Sequence, residues 1–98
     1  MLEALKTFAD EQLVKYDLES EGWKIVWDAD RSFAGACDRR RKRILLSHFL
    51  LEKATDEEGR ETVLHEIAHA LNSTNQHDDE WLAKLIEIGG TGSEWVAP

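Results

Sequence analysis

Ninety-eight residues suffice for one compact domain and not for two, so the chain is read as a single domain spanning residues 1–98. An apolar content of 42% with four tryptophans excludes a disordered chain, and no apolar run approaches membrane-spanning length. The formal net charge of −8 excludes a general attraction to nucleic acid.

That charge is unevenly spread. Residues 1–38 carry four basic and nine acidic side chains, residues 44–98 three and eleven, and between them stand five consecutive cations, Arg39-Arg40-Arg41-Lys42-Arg43. A single cysteine, Cys37, excludes an internal disulfide and a four-cysteine zinc ribbon, and is expected to be a small buried residue. The opening Met1-Leu2-Glu3-Ala4-Leu5 has neither the basic start nor the apolar core of a signal peptide, so a cytoplasmic location is expected.

Leu2 to about Glu19 has the three- and four-residue apolar spacing of an amphipathic helix, carried by Leu2, Leu5, Phe8, Leu13 and Tyr16. Gly22 suits its left-handed stop. Trp23-Lys24-Ile25-Val26-Trp27 reads as a strand, residues 28–32 as a hairpin loop, and Phe33–Cys37 as a second strand in which Gly35 marks a bulge or a close approach. The basic run forms the next turn and Ile44–Ser47 a short third strand. Such a run is either a solvated turn that blunts a strand edge or a contact for phosphate or an acidic partner. His48–Lys53 fits a helical turn or an extended lead-in.

Thr55-Asp56-Glu57-Glu58 carries a capping box, with acidic side chains where a helix N-terminus favours them. The helix that follows runs through Leu71, weakened at its start by Gly59. Asn72–Asn75 is turn chemistry. Asp78 or Asp79 caps a last helix to about Ile88, with Trp81, Leu82, Leu85, Ile86 and Ile88 spaced to pack inward, and Gly89–Gly92 ends it.

The chemistry lies in Val63–His77, which contains His65-Glu66-Ile67-Ala68-His69. Residues four apart on a helix share a face, so His65 and His69 can offer two imidazole nitrogens to one Zn²⁺, with Glu66 beside them to take a proton from water. The bland reading, a polar seam of solvated histidines, conflicts with the apolar residues interleaved here, because buried histidines need partners. Eight residues on, His77 is a candidate third ligand by spacing, with Asp78, Glu80 and Glu87 as competitors. Three protein ligands and an open position are what a catalytic zinc requires.

With these residues in place, the chain from about Trp23 to Gly90 resembles a SprT-like metallopeptidase domain, the zincin family that includes the Spartan DNA–protein crosslink proteases. The resemblance rests on W-K-I-V-W, on G-A-C-D-R-R-R-K-R-I-L-L-S running into an acidic helix start, on V-L-H-E-I-A-H-A-L, and on H-D-D-E-W followed by E-I-G-G. It implies an α+β, zincin-like minimal domain: an N-terminal helix, a small three-stranded antiparallel sheet, the H-E-x-x-H helix and a C-terminal helix. It further implies His65, His69 and His77 as zinc ligands, Glu66 as catalytic base, and an aromatic position at Trp81. Asp78 departs from the Gly that usually follows the third histidine.

The expected activity is zinc-dependent hydrolysis of peptide bonds in protein substrates, with DNA-associated proteins and a weak DNA contact through Arg39–Arg43 resting on the resemblance and the basic run. An extended substrate is expected along a sheet edge beside Ile44–Ser47. Two other readings stay open: a zinc-stabilised adaptor without turnover, and a regulatory protease dedicated to one partner such as a repressor.

Overall fold

The computed structural model describes residues 2–28, 32–72 and 77–92. Its elements are α1 (Leu2–Lys15), β1 (Lys24–Asp28), β2 (Gly35–Asp38), β3 (Arg43–Ser47), α2 (His48–Leu51), α3 (Asp56–Leu71) and α4 (Asp79–Glu87). The fold is α+β, as expected. Among the described residues no helix is long and apolar enough to cross a membrane.

The sheet differs from the expected antiparallel meander. Its order is β1-β3-β2, with β1 parallel to β3 and β2 antiparallel to it. Among the described residues only β2 and β3 form a hairpin, and the basic run is its turn. Burial explains the order. Ile44 and Leu46 of β3 are fully buried, so that strand takes the centre, whereas β1 begins and ends on a charge and lies at an edge. The expected substrate edge beside Ile44–Ser47 is therefore not free; both sides of β3 are paired.

α1 ends at Lys15, earlier than its periodicity suggests. The chain turns through Asp17 (φ 61°) and a short 3₁₀ segment, Glu19–Glu21, before Gly22 (φ 97°) sends it into β1. Trp23 precedes the strand and is buried. His48–Leu51 is helical because the Ser47 hydroxyl accepts from the Leu50 N–H (3.1 Å), an N-cap that the sequence leaves ambiguous.

α3 is the central helix, packed by α1, the sheet and α4. Its capping box is complete: Thr55 Oγ1 accepts from the Glu58 N–H (3.1 Å) and Glu58 Oε1 from the Thr55 N–H (2.8 Å). Gly59 has a packing reason. A Cβ there would lie 2.9 Å from Leu5 Cδ2, so α1 crosses α3 where α3 has no side chain.

α4 buries Trp81 and Leu85, and Ile88 follows them into the core, while Leu82 and Ile86 remain exposed, against expectation. A nine-residue helix lying on α3 presents one stripe to the core, and those two fall outside it. Cys37 is half-buried, not sealed in the core. The expectations for the β1–β2 loop at residues 29–31 and for the turn at 73–76 lie outside the described residues.

Candidate metal centre

α3 carries His65 and His69 one turn apart on the face toward α4 and β2. His77 enters from the segment before α4, whose first turn is fixed by Asp78: its carboxylate accepts from the Trp81 N–H (2.9 Å). The three Nε2 atoms converge. His65 and His77 Nε2 are 2.9 Å apart, and His69 and His77 Nε2 are 3.1 Å apart. Among the described residues, these three form the group of metal-ligating side chains, with their ligand atoms all within 4.8 Å of one another. Asp78 is occupied as a cap, and Glu87 pairs with Lys84 (2.6 Å).

Three imidazole nitrogens this close cannot all be satisfied by the one proton that His77 Nε2 can place between itself and either neighbour. A tetrahedral ion with bonds of about 2.0–2.1 Å sets its nitrogens roughly 3.3 Å apart, so the donor set fits one metal ion.

Trp81 forms the floor under all three rings. Its indole stacks on His69 (centroids 5.2 Å, 21°) and meets His65 and His77 edge-on, each at 4.7 Å. Its Nε1–H donates to the His65 carbonyl (3.3 Å). At the other end, the Arg39 guanidinium donates to the carbonyl of His69 in the last turn of α3, which also accepts from the N–H of the C-cap Asn72 (3.3 Å). Arg39 thus leaves the basic run to brace the metal helix.

Glu66 is only 5% exposed, with Oε2 3.9 Å from His65 Nε2. Burial pushes its carboxyl up to about 8. Burial, aided by His77 and opposed by Glu61, pulls His65 down to about 4, so its imidazole is neutral and able to ligate at neutral pH. Cys37 is raised to about 11, by burial first and Glu66 second, which keeps it a thiol. The cavity between these groups measures about 180 Å³ and is lined by Gly35, Ala36 and Cys37 of β2 with Glu66 and the three histidines. A Cβ at position 35 would stand 3.0 Å from Glu66 Cγ and 3.2 Å from Oε2, so a side chain there would crowd the glutamate and glycine lets β2 lie close to it.

The sequence-derived residues His65, Glu66, His69 and His77 therefore meet at one cavity. His48 lies exposed at the start of α2, apart from it. Sequence reasoning missed the bracing role of Arg39, which nothing distinguishes from its four cationic neighbours, and the placing of Cys37 in the cavity wall; the close approach at Gly35 was signalled by a glycine inside a strand pattern.

No curated protein matches the sequence. Among solved structures, the fold is similar to that of the metallopeptidase zymogen of Pyrococcus abyssi abylysin, with a TM-score of 0.65, 18% identity, and coverage of 90% of this chain and 79% of that one. The SprT-like family matches residues 2–96, almost the whole chain. By that match the chain belongs to the SprT-like family.

Proposed function

We propose that this chain is a zinc-dependent endopeptidase of the H-E-x-x-H type that hydrolyses peptide bonds in protein substrates. The observation that carries the reading is the convergence of three imidazole Nε2 atoms beside a buried carboxylate, in a cavity walled by an edge strand. His65, His69 and His77 hold the ion, and Zn²⁺, which suits neutral imidazoles, supplies Lewis acidity to water and to the scissile carbonyl.

The chain's own groups perform the rest. Glu66 Oε2 takes a proton from the attacking water and passes it to the leaving amine, so the water oxygen ends on the new carboxyl and the proton on the new amino group. In the metal-free chain burial raises this carboxyl to about 8; a divalent cation held by the histidines would favour the carboxylate, the form that takes the proton. The substrate edge is β2, not β3: β2 is an outer strand and three of its residues line the cavity, so an extended peptide added to it runs past the histidines.

Replacing Gly35 by Ala is expected to lower kcat roughly ten- to a hundredfold with little change in KM, because the methyl group displaces the glutamate and not the bound peptide. Steady-state kinetics separate the two constants. An equal effect on both would place Gly35 in substrate binding instead.

DNA-associated proteins are the proposed substrate class, with a weak contact to nucleic acid through Arg39–Arg43. Within that run the Arg39 head is committed to α3, Lys42 Nζ to the Glu21 carbonyl (2.8 Å), Arg41 to the Asp38 carboxylate (3.4 Å) and Arg43 Nη1 to the carbonyls of Arg41 and Lys42 (3.0 and 3.2 Å), so the exposed Arg40 is the residue best placed to face phosphate. The test is incubation of the zinc-loaded chain with an unstructured protein, with and without single-stranded DNA, after chelation, and after zinc is restored. Cleavage lost on chelation and recovered with zinc supports the peptidase, and stimulation by DNA supports the substrate class. Stoichiometric zinc without cleavage in any arm would instead favour an adaptor, or a protease for one partner.

A further inference from the structure

The sheet has a second edge, β1, on the side away from the histidines. The Lys24 N–H donates to the Lys42 carbonyl (3.1 Å), and Lys24 is in register with Arg43 of β3. In a parallel pair this turns the backbone groups of Lys24, Val26 and Asp28 toward β3 and those of Ile25 and Trp27 outward. No strand covers that outward side among the described residues. Beside it, between α1 and β1, runs an open groove of about 880 Å³, bordered by Val14 and Ile25. Val14 is 60% exposed, and Val26, on the open face of the sheet, is 37% exposed.

The residues of this edge are self-complementary. Lys24 and Asp28 stand two places either side of Val26, on one face of the strand with it, and carry opposite charges. Placed antiparallel about a two-fold axis at Val26, the strand meets a second copy of itself with Lys24 opposite Asp28 at both ends. Ile25 then exchanges both backbone hydrogen bonds with Trp27 of the second copy, and these are the two residues whose backbone groups point outward. The pairing also sets a carboxylate beside the like-charged neighbours Lys24 and Arg43.

We propose that β1 is a self-association edge: two copies of this chain pair antiparallel through Lys24–Asp28, joining two three-stranded sheets into one of six. Lysine on an edge strand ordinarily deters pairing. A foreign strand would have to bring an acid and a base at the matching spacing, whereas the two-fold supplies both from the same five residues. The contact is small, so the dimer forms with rising concentration and dissociates on dilution. Because β2 lies at the opposite edge, both metal cavities remain open, and the proposal stands independently of the peptidase reading.

Sedimentation equilibrium over a concentration series tests it. Lys24→Glu sets like charges face to face at both ends of the pairing, as does Asp28→Lys, and each is expected to weaken self-association roughly tenfold or more. The double variant Lys24→Glu/Asp28→Lys restores opposite charges and is expected to recover dimerisation, a rescue that damage to the fold cannot produce. A wild-type chain that stays monomeric at every concentration it tolerates would overturn the proposal. So would single variants that associate like wild type, or a double variant no better than the singles.

Discussion

Glu66→Gln is expected to lower peptide-bond hydrolysis by roughly 10²–10⁴-fold, the range general acid–base groups supply, while the protein still binds one metal ion. The amide keeps the shape of the side chain against Gly35 but can no longer take a proton from water. The three nitrogens are untouched. Turnover and metal stoichiometry, measured on one preparation, separate the base from the ligands; a variant that loses both would mean that Glu66 is structural.

The same substitution has a signature in the metal-free protein. The folded chain holds the Glu66 proton up to about 8 from an ordinary 4.5, so between those values the folded state binds more protons than the unfolded one and stability falls as pH rises. His65, lowered from 6.5 to about 4, works in the opposite sense: between those values the unfolded state binds more protons, and stability rises with pH. The two oppose each other below 6.5, and above it Glu66 acts alone. Metal-free wild type should therefore lose stability between pH 6.5 and 8. Glu66→Gln should remain level there, as thermal or denaturant unfolding in chelator would show.

Saturating the metal-free chain with Zn²⁺ is expected to raise Tm by roughly 15–30 °C. Free metal a thousandfold above Kd stabilises by about 4 kcal/mol. Each kcal/mol moves a domain of this size by roughly 4–8 °C. His77→Ala should abolish most of that rise, because only the two histidines of α3 remain. Trp81→Ala keeps all three ligands and removes the surface their rings rest on, so it should cost roughly 10–100-fold in metal affinity and reduce the shift instead of eliminating it. Isothermal titration with zinc in the presence of a competing chelator measures all three proteins. Undiminished affinity in His77→Ala would move the third ligand to Asp78, Glu80 or Glu87.

What could be read in the chain beforehand follows from how local each cause is. His65, Glu66 and His69 share a helix face by spacing alone, and the Thr55–Glu58 capping box is complete within four residues. His77 was legible from spacing, without geometry. The strands were legible too, but their pairing was not, because apolar alternation marks a strand without naming its neighbour. The hint lay in composition: Ile44-Leu45-Leu46 is the continuous apolar run of a central strand, and Lys24–Asp28 has the charged ends of an edge. Arg39 was invisible for a different reason. Five cations in a row look alike, and only the hairpin decides which of them turns back onto α3.

His69 and His77 are eight residues apart, so an ion held by the triad closes a short loop and removes little chain entropy by doing so. What it gains is the fastening of α4 to α3, across a contact otherwise made by Trp81, Leu85 and Ile88. Metal occupancy should therefore be written locally in hydrogen exchange under native conditions: amides in α4 open freely when the ion is removed, while those in the interior of α3 and in β3 keep the protection of the whole domain.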